Sequence, residues 1–292
     1  MLLETKEKFP QWCRDKETNY KLLLSDDIDS FMCYILQKEL FNREIEYFID
    51  VNYKKINKSF GKQVLYSTNS NIQWKDIIGL DIALENNIKC WDNHVTKQYS
   101  NDNYNLNSAN MNNIINVCSN NYTSKFVISS FITMLSYYDV DITKWNKEQL
   151  AILCCIDGLY TPFCNQRFME QGKENLRFLG YEFLSNFIKE NLQYIIKIES
   201  EYNIKYGKIC TDNDGFLQTN IDLLGLQLAF IGVFNSIFDL PHNKFMEIES
   251  YKSTFVNLSD NKYTKKILNK SDRLMNFALL FKNKAVVSYD VD

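Results

Sequence analysis

Basic residues are not in excess in this chain of 292 residues: 33 lysines and arginines face 36 acidic residues, a net charge of −3. A protein that grips a long duplex draws its affinity from many cations neutralising phosphates, so that class of partner is not expected, whereas a small phosphorylated ligand remains compatible. No stretch approaches the roughly 20 uninterrupted apolar residues of a spanning helix. The amino-terminal MLLETKEKFPQWCRDKE lacks the apolar core of a signal peptide, and no membrane association and an intracellular, cytoplasmic location are expected. The eight cysteines form no CxxC pair and lie mostly in apolar runs, the pattern of reduced, buried thiols. Glycine is scarce, 9 in all, and no Gly-rich cluster follows residue 165.

What the chain does have is 45% hydrophobic and 14% aromatic residues, ample for a sizeable core. YKLLLS reads as a strand that ends at Asp26-Asp27-Ile28-Asp29-Ser30, and FMCYILQKELF after it has helical spacing. EIEYFIDV, KQVLYS, DIIGLDIAL and IKCWDNHV read as further strands. Alternation of strands and helices predicts an α/β fold with a mainly parallel sheet flanked by helices, and functional residues at the carboxyl ends of its strands.

Residues 97–121, rich in Asn, Ser and Tyr, predict a long loop with a short helix near Met111 to Val117, placed to cover a site. TSKFVISSFITMLSYY and NKEQLAILCCIDGLY predict two helices, the second capped by Thr143 or Asn146 and carrying Asp157 at its end. The polar CNQRFMEQGKEN is the expected linker between domains spanning 1–165 and 166–292, the second smaller, helix-rich and α+β, binding substrate or a partner. In it, residues 176–203 are helical, KICTDNDGFLQTNID forms strands about an Asn-Asp-Gly turn, and LLGLQLAFIGVFNSIF, apolar on almost every side, is expected to be buried.

One type of residue recurs in one context. Asp27 with Asp29, Asp81, Asp92 and Asp157 each end an apolar run. Each has an ordinary use as a helix cap or turn residue. Converging carboxylates repel one another unless cations sit among them, and such hard oxygen donors suit Mn²⁺ or Mg²⁺. Two divalent ions would balance the four charges of Asp27, Asp29, Asp81 and Asp157.

In their order and spacing these residues resemble the DHH phosphoesterase superfamily, over residues 20 to 165. The family's D-x-D motif resembles Asp27-Ile28-Asp29, its single aspartate after a later strand resembles Asp81, its D-H-H signature resembles Asp92-Asn93-His94, and its fourth aspartate resembles Asp157. The resemblance implies two Mn²⁺ or Mg²⁺ ions held by Asp27, Asp29, Asp81 and Asp157, with in-line attack of an activated water on phosphorus and His94, beside Asp92, touching the phosphate or protonating the leaving oxygen. Asn93 stands where the family carries the first histidine of the signature; its amide oxygen binds a hard cation less strongly than imidazole does, so one ion is expected to be weak.

Lys125 and Ser124, at the expected start of the helix after the long loop, are candidates to meet a phosphate, although Thr123 or Ser124 could equally be a cap. His242, in the turn DLPHNKF, is expected to be structural. The function expected is metal-dependent hydrolysis of phosphodiester bonds in a small nucleotide, cyclic dinucleotide or short oligonucleotide. The alternatives are a DHH-like binding or scaffolding module that has lost turnover, and a single-strand 5′-exonuclease, which would need a basic, aromatic-lined groove.

Overall fold

The computed structural model describes residues 1–51, 61–260, 265 and 274–290. Its centre is a nine-stranded mixed sheet flanked by helices. The strands are β1 (Lys21–Leu24), β2 (Ile45–Asp50), β3 (Gly61–Ser67), β4 (Ile77–Leu80), β5 (Lys89–Trp91) and β6 (Ser108–Ala109), then β7 (Ile209–Thr211) and β8 (Leu217–Thr219) as a separate hairpin, and β9 (Met246–Asn257), β10 (Leu274–Phe281) and β11 (Lys284–Asp290). The large sheet runs in the order β10-β11-β9-β3-β2-β1-β4-β5-β6, parallel from β2 to β6 and antiparallel from β2 outward to β10.

The parallel strands are short apolar runs because both their faces are covered. In β1, Leu22 and Leu24 enter the large core under the helices while Leu23 enters a second core on the opposite face. The helices α1 (Ile28–Phe41), α2 (Ser130–Tyr137) and α3 (Lys147–Cys155) supply Phe31, Ile35, Phe131, Leu135 and Ile152 to the first core. The second core is closed by the curl of the sheet itself: edge strand β10 bridges back to Leu84 and Val95, just beyond β4 and β5. The sheet thus crosses the division placed at residue 165, since β9 to β11 join the strands of the amino-terminal half.

Three local expectations are corrected. The polar stretch 164–175 is not a linker but most of the exposed face of α4 (Gln166–Leu179), capped by Asn165, with Gly172 lying close on Pro162 and Phe163. Residues 176–203 continue through Gly180, left-handed at φ 78°, into α5 (Leu184–Glu201). The apolar stretch 223–238 is only half buried: α6 (Leu223–Ala229) turns Leu226 inward, and Phe230, Phe234 and Phe238 stack beside Trp145 and Phe31, while Leu224 and Ile237 are about 70% exposed (71% and 69%). Its side chains follow one helical face for two turns and then an irregular path, so half of them have no core to enter. Finally, residues 97–121 are no cover: they contain β6 and the one-turn helix Met111–Ile114, and Asn105, Asn110, Asn112 and Asn113 are buried. Among the described residues, no helix is long and apolar enough to cross a membrane.

Gly79 in β4 is required by its neighbours. A Cβ there would stand 2.6 Å from Leu84 Cδ1 and 2.8 Å from Ile82 Cγ2. Gly79→Ala should therefore cost about 1–3 kcal/mol by overpacking, seen as a lower urea midpoint at unchanged denaturant slope.

Candidate functional site

The chain leaves β1 through α1 to β2 on one side and returns later to β4 on the other. Loops at the carboxyl ends of β1 and β4 therefore diverge and open a crevice, the place where open α/β sheets take ligands. Asp26 to Asp29 follow β1, Asp81 follows β4, Asp92, Asn93 and His94 follow β5, and Asn110 follows β6. Asp157 enters from the helical layer just after α3, in left-handed backbone at φ 49°, and Asp81 is left-handed too at φ 50°. All non-glycine residues with positive φ among those described are Asn or Asp, so this conformation alone marks no site.

Each acidic side chain is already engaged. Asp27 caps α1, accepting from the Ser30 amide at 3.3 Å. Asp29, buried, accepts the Ser130 and Phe131 amides at 2.8 Å each, so its carboxylate closes the amino terminus of α2, where helix partial charge favours an anion. Asp81 accepts from the Ser130 hydroxyl at 2.8 Å, and Asp157 from the Asn93 side-chain amide at 2.7 Å. Asp92 is fully enclosed; it accepts from His94 Nδ1 at 2.8 Å and from Asn110 at 2.6 Å. Its carboxylate reaches no open space and is spent on holding the His94 ring and the Asn110 amide.

The crevice is short of positive charge. Burial pushes the Asp29 carboxyl well up, and the charges of Asp81, Asp157 and Asp27 push it further. Asp81 is raised to about 7, by burial and then by Asp27, against the easing charge of His94. Asp157 faces open space, but the protein mass around it raises its carboxyl, with Lys125 and His94 opposing. Burial would lower the pKa of His94, but the hydrogen bond and charge of Asp92, with the charge of Asp81, outweigh it and lift the imidazole to about 9. His94 is thus a cation at neutral pH, with Nε2 left free by the bond at Nδ1.

A cavity of about 260 Å³ opens beside these groups, walled by Asp27, Asp29, Asp157, Tyr160, Glu199 and Lys208; Asp81 and His94 are not among its walls. Lys125 acts electrostatically on Asp157 and His94, but it does not start a helix: it leaves a short 3₁₀ turn in extended backbone, and α2 begins five residues later behind the Ser129 cap. Ser124 is exposed at the end of that turn, away from any helix amino terminus. His242 is exposed and pairs with Asp239 at 3.0 Å.

Residues that the sequence did not single out complete the arrangement. Asn110 and Asn112 are wholly buried; Asn110 also donates to the His94 carbonyl at 2.7 Å, and Asn112 to the Asn93 carbonyl at 2.8 Å. They fix the Asp92-Asn93-His94 loop, and the density of asparagine in 105–113 was the available signal. Lys208 reaches Asp26 at 3.1 Å and Asp27 at 3.7 Å, with nothing local in KICT to mark it.

No family model matches the chain, and neither the curated proteins nor the solved structures searched include a match. The donor chemistry, four carboxylates short of counter-charge, fits a hard divalent cation. Their spacing does not close on one as they stand: among the described residues no group of three or more His, Cys, Asp or Glu side chains is arranged to hold a metal.

Two outcomes follow from the His94 environment. In a proton-detected NMR titration the imidazole should titrate near pH 9, and Asp92→Asn should lower it towards the ordinary histidine range, because burial is then opposed only by the charge of Asp81. The folded-state pKa lies above the unfolded value of 6.5, so this group's stabilisation is complete below pH 6.5 and fades as pH rises through 9; the Asn variant should lose that slope in pH-dependent unfolding.

Proposed function

We propose that the chain is a divalent-metal-dependent phosphoesterase acting on a small phosphorylated substrate such as a nucleotide, cyclic dinucleotide or short oligonucleotide. The observation that carries this is the cluster of mutually repelling carboxylates at the crevice of a parallel sheet beside a protonated histidine. A DHH-type arrangement is supported by the order of its parts: D-x-D after the first strand, one aspartate after β4, Asp92-Asn93-His94 after β5 and Asp157 from the helices. The cofactor proposed is Mn²⁺ or Mg²⁺, two ions in the family's scheme, held by Asp27, Asp29, Asp81 and Asp157.

A bound divalent cation would supply Lewis-acid polarisation and a lowered pKa for water. The chain's own groups do the rest. Asp92 orients the His94 ring and keeps it charged, so Nε2 holds a proton for a leaving oxygen. Lys125 adds positive charge on the side of Asp157 and His94, where a phosphoryl group would carry its negative oxygens. Asn110 and Asn112 hold the loop so that these groups need no rearrangement. The adjoining cavity of about 260 Å³, walled in part by Asp27, Asp29 and Asp157, is of a size for a small ligand.

One observation favours a second reading, a binding module without turnover: the Asp157 carboxylate already accepts a hydrogen bond from the neutral Asn93 side-chain NH2, a partner that needs no cation. Turnover separates the two. Purified protein with Mn²⁺ should hydrolyse bis-p-nitrophenyl phosphate or a short oligonucleotide, and Asp157→Asn or Asp29→Asn should reduce kcat by more than the about 10–100-fold that loss of a residue supporting a metal ligand costs. No hydrolysis across such a panel, with the protein folded and Mn²⁺ bound, would leave the binding module.

The raised carboxyls give a check independent of activity. Asp81 has a folded pKa of about 7 against 3.8, so its contribution is most favourable below pH 3.8 and is lost as pH rises through 7. Metal-free protein should lose that increment between pH 4 and 7, and Mn²⁺ at about 100 times its Kd should return about 2.7 kcal/mol at neutral pH, read as a higher Tm.

A further inference from the structure

The sheet face that carries the second core is not wholly apolar. Gln63 of β3, Tyr251 of β9 and Asp290 of β11 are cross-strand partners, so their side chains leave the sheet side by side on that face. Two residues along, Ser253 of β9, Ser288 of β11 and Asn276 of β10 form a second polar row in the same register. Gln63 and Asn276 are 4% exposed, Ser253 2% and Ser288 0%. Gln63 Oε1, Asn276 Oδ1 and both serine hydroxyls nevertheless have no hydrogen-bond partner among the described residues. Buried polar atoms are ordinarily paired, so four together on one face point to a polar group that they receive.

A pocket of about 280 Å³ opens on this face, walled by Tyr251, Glu249, Asp290 and Met275 from the sheet and by Trp74 and Ile88 from the segments that lead into β4 and β5. It lies at the amino-terminal ends of those strands, the end of the sheet opposite the crevice. Its chemistry is one-sided. Glu249 accepts from the Tyr251 hydroxyl, and among the described residues no cationic side chain pairs with Glu249 or Asp290. The unpaired atoms beside it are all oxygens: amide and carboxylate oxygens only accept, and hydroxyls accept as well as donate. Such a surface repels phosphate and calls for a positive group with several N–H donors, and the Trp74 ring adds an aromatic face that attracts a cation. We propose that this pocket binds a small aliphatic amine or guanidine, its charged head held between Glu249 and Asp290 and its donors directed to Gln63 and the neighbouring serine row. Because the pocket and the crevice lie at opposite ends of the sheet, this binding and the phosphoesterase reading stand or fall separately.

Isothermal titration calorimetry of the full chain with putrescine, agmatine and uncharged butanediol tests this. Putrescine or agmatine should bind saturably, one molecule per chain, and the diol should not bind. Glu249→Gln combined with Asp290→Asn, and separately Gln63→Leu, should each weaken binding about tenfold or more, the size expected for hydrogen bonds to a charged group. Asp157→Asn, in the crevice, should leave the affinity unchanged. Circular dichroism reports whether each variant folds; should one fail, Trp74→Leu, which removes the aromatic face, should weaken binding about threefold or more. Failure of both amines to bind, equal binding of the diol, or an affinity insensitive to the pocket variants overturns the inference. An affinity lost in Asp157→Asn instead places the cation in the acidic crevice, which also overturns it.

Discussion

Electrostatic repulsion among carboxylates packed at the ends of β1 and β4 is the constraint to which the neighbouring structure answers. A buried carboxylate is tolerated only when hydrogen bonds or opposite charge replace the water it has lost. Asp29 has the two leading amides of α2, Asp81 the hydroxyl of Ser130, Asp157 the amide of Asn93, and Asp26 and Asp27 the ammonium of Lys208. These compensations come from three separate parts of the chain. That explains why the helix after the asparagine-rich segment begins at Ser130: two of its first free amides are answered by Asp29, a partner supplied about a hundred residues away in sequence (separations of 101 and 102).

The same constraint accounts for the buried asparagines. A sheet edge formed by the two-residue strand β6 has little backbone pairing to hold it, and its loops carry polar groups into the interior. Asn105 donates to the carbonyls of Leu84 and Ile88, Asn110 to Asp92 and His94, and Asn112 to Asn93 and Phe126. Each amide bridges two groups that would otherwise be buried without partners. His94 inherits its orientation from this scaffold, so its charged state is a property of the loop and not of the histidine alone.

The parts of this architecture legible in the sequence are those set by local chemistry. Apolar runs ending in aspartate located β1, β4 and β5, the helical period located α1, and the apolar run after the candidate caps Thr143 and Asn146 located α3, which Asn146 caps. Long-range pairing left no such trace. KAVVSYD reads as a strand, but nothing in it says that β11 lies between β9 and β10 in the sheet built by the first half of the chain. The stretch 164–175 reads as a linker because its exposed face dominates its composition, and 223–238 reads as buried because its composition does not record that Leu224 and Ile237 have no partner surface.

The site was legible to the same degree and for the same reason. Asp27, Asp29, Asp81, Asp157 and His94 were singled out because acidic residues recur at the ends of apolar runs, where like charges would conflict if they converge, and that recurrence is visible locally. The groups that resolve the conflict are not visible, because resolution requires only that one donor arrive from anywhere in the fold. Lys208 sits beyond α5, and its claim on Asp26 depends on the hairpin β7–β8 being stitched to the β1–α1 loop through Ile209. Asn93 is the instructive intermediate case. Beside His94 it reads as a weakened ligand, yet its amide faces Asp157 as a donor, and the crevice meets its excess of negative charge with fixed groups on both flanks. A crevice built this way spends part of its anionic character on the protein itself, so its charge is set by the whole fold and not by the acidic residues alone.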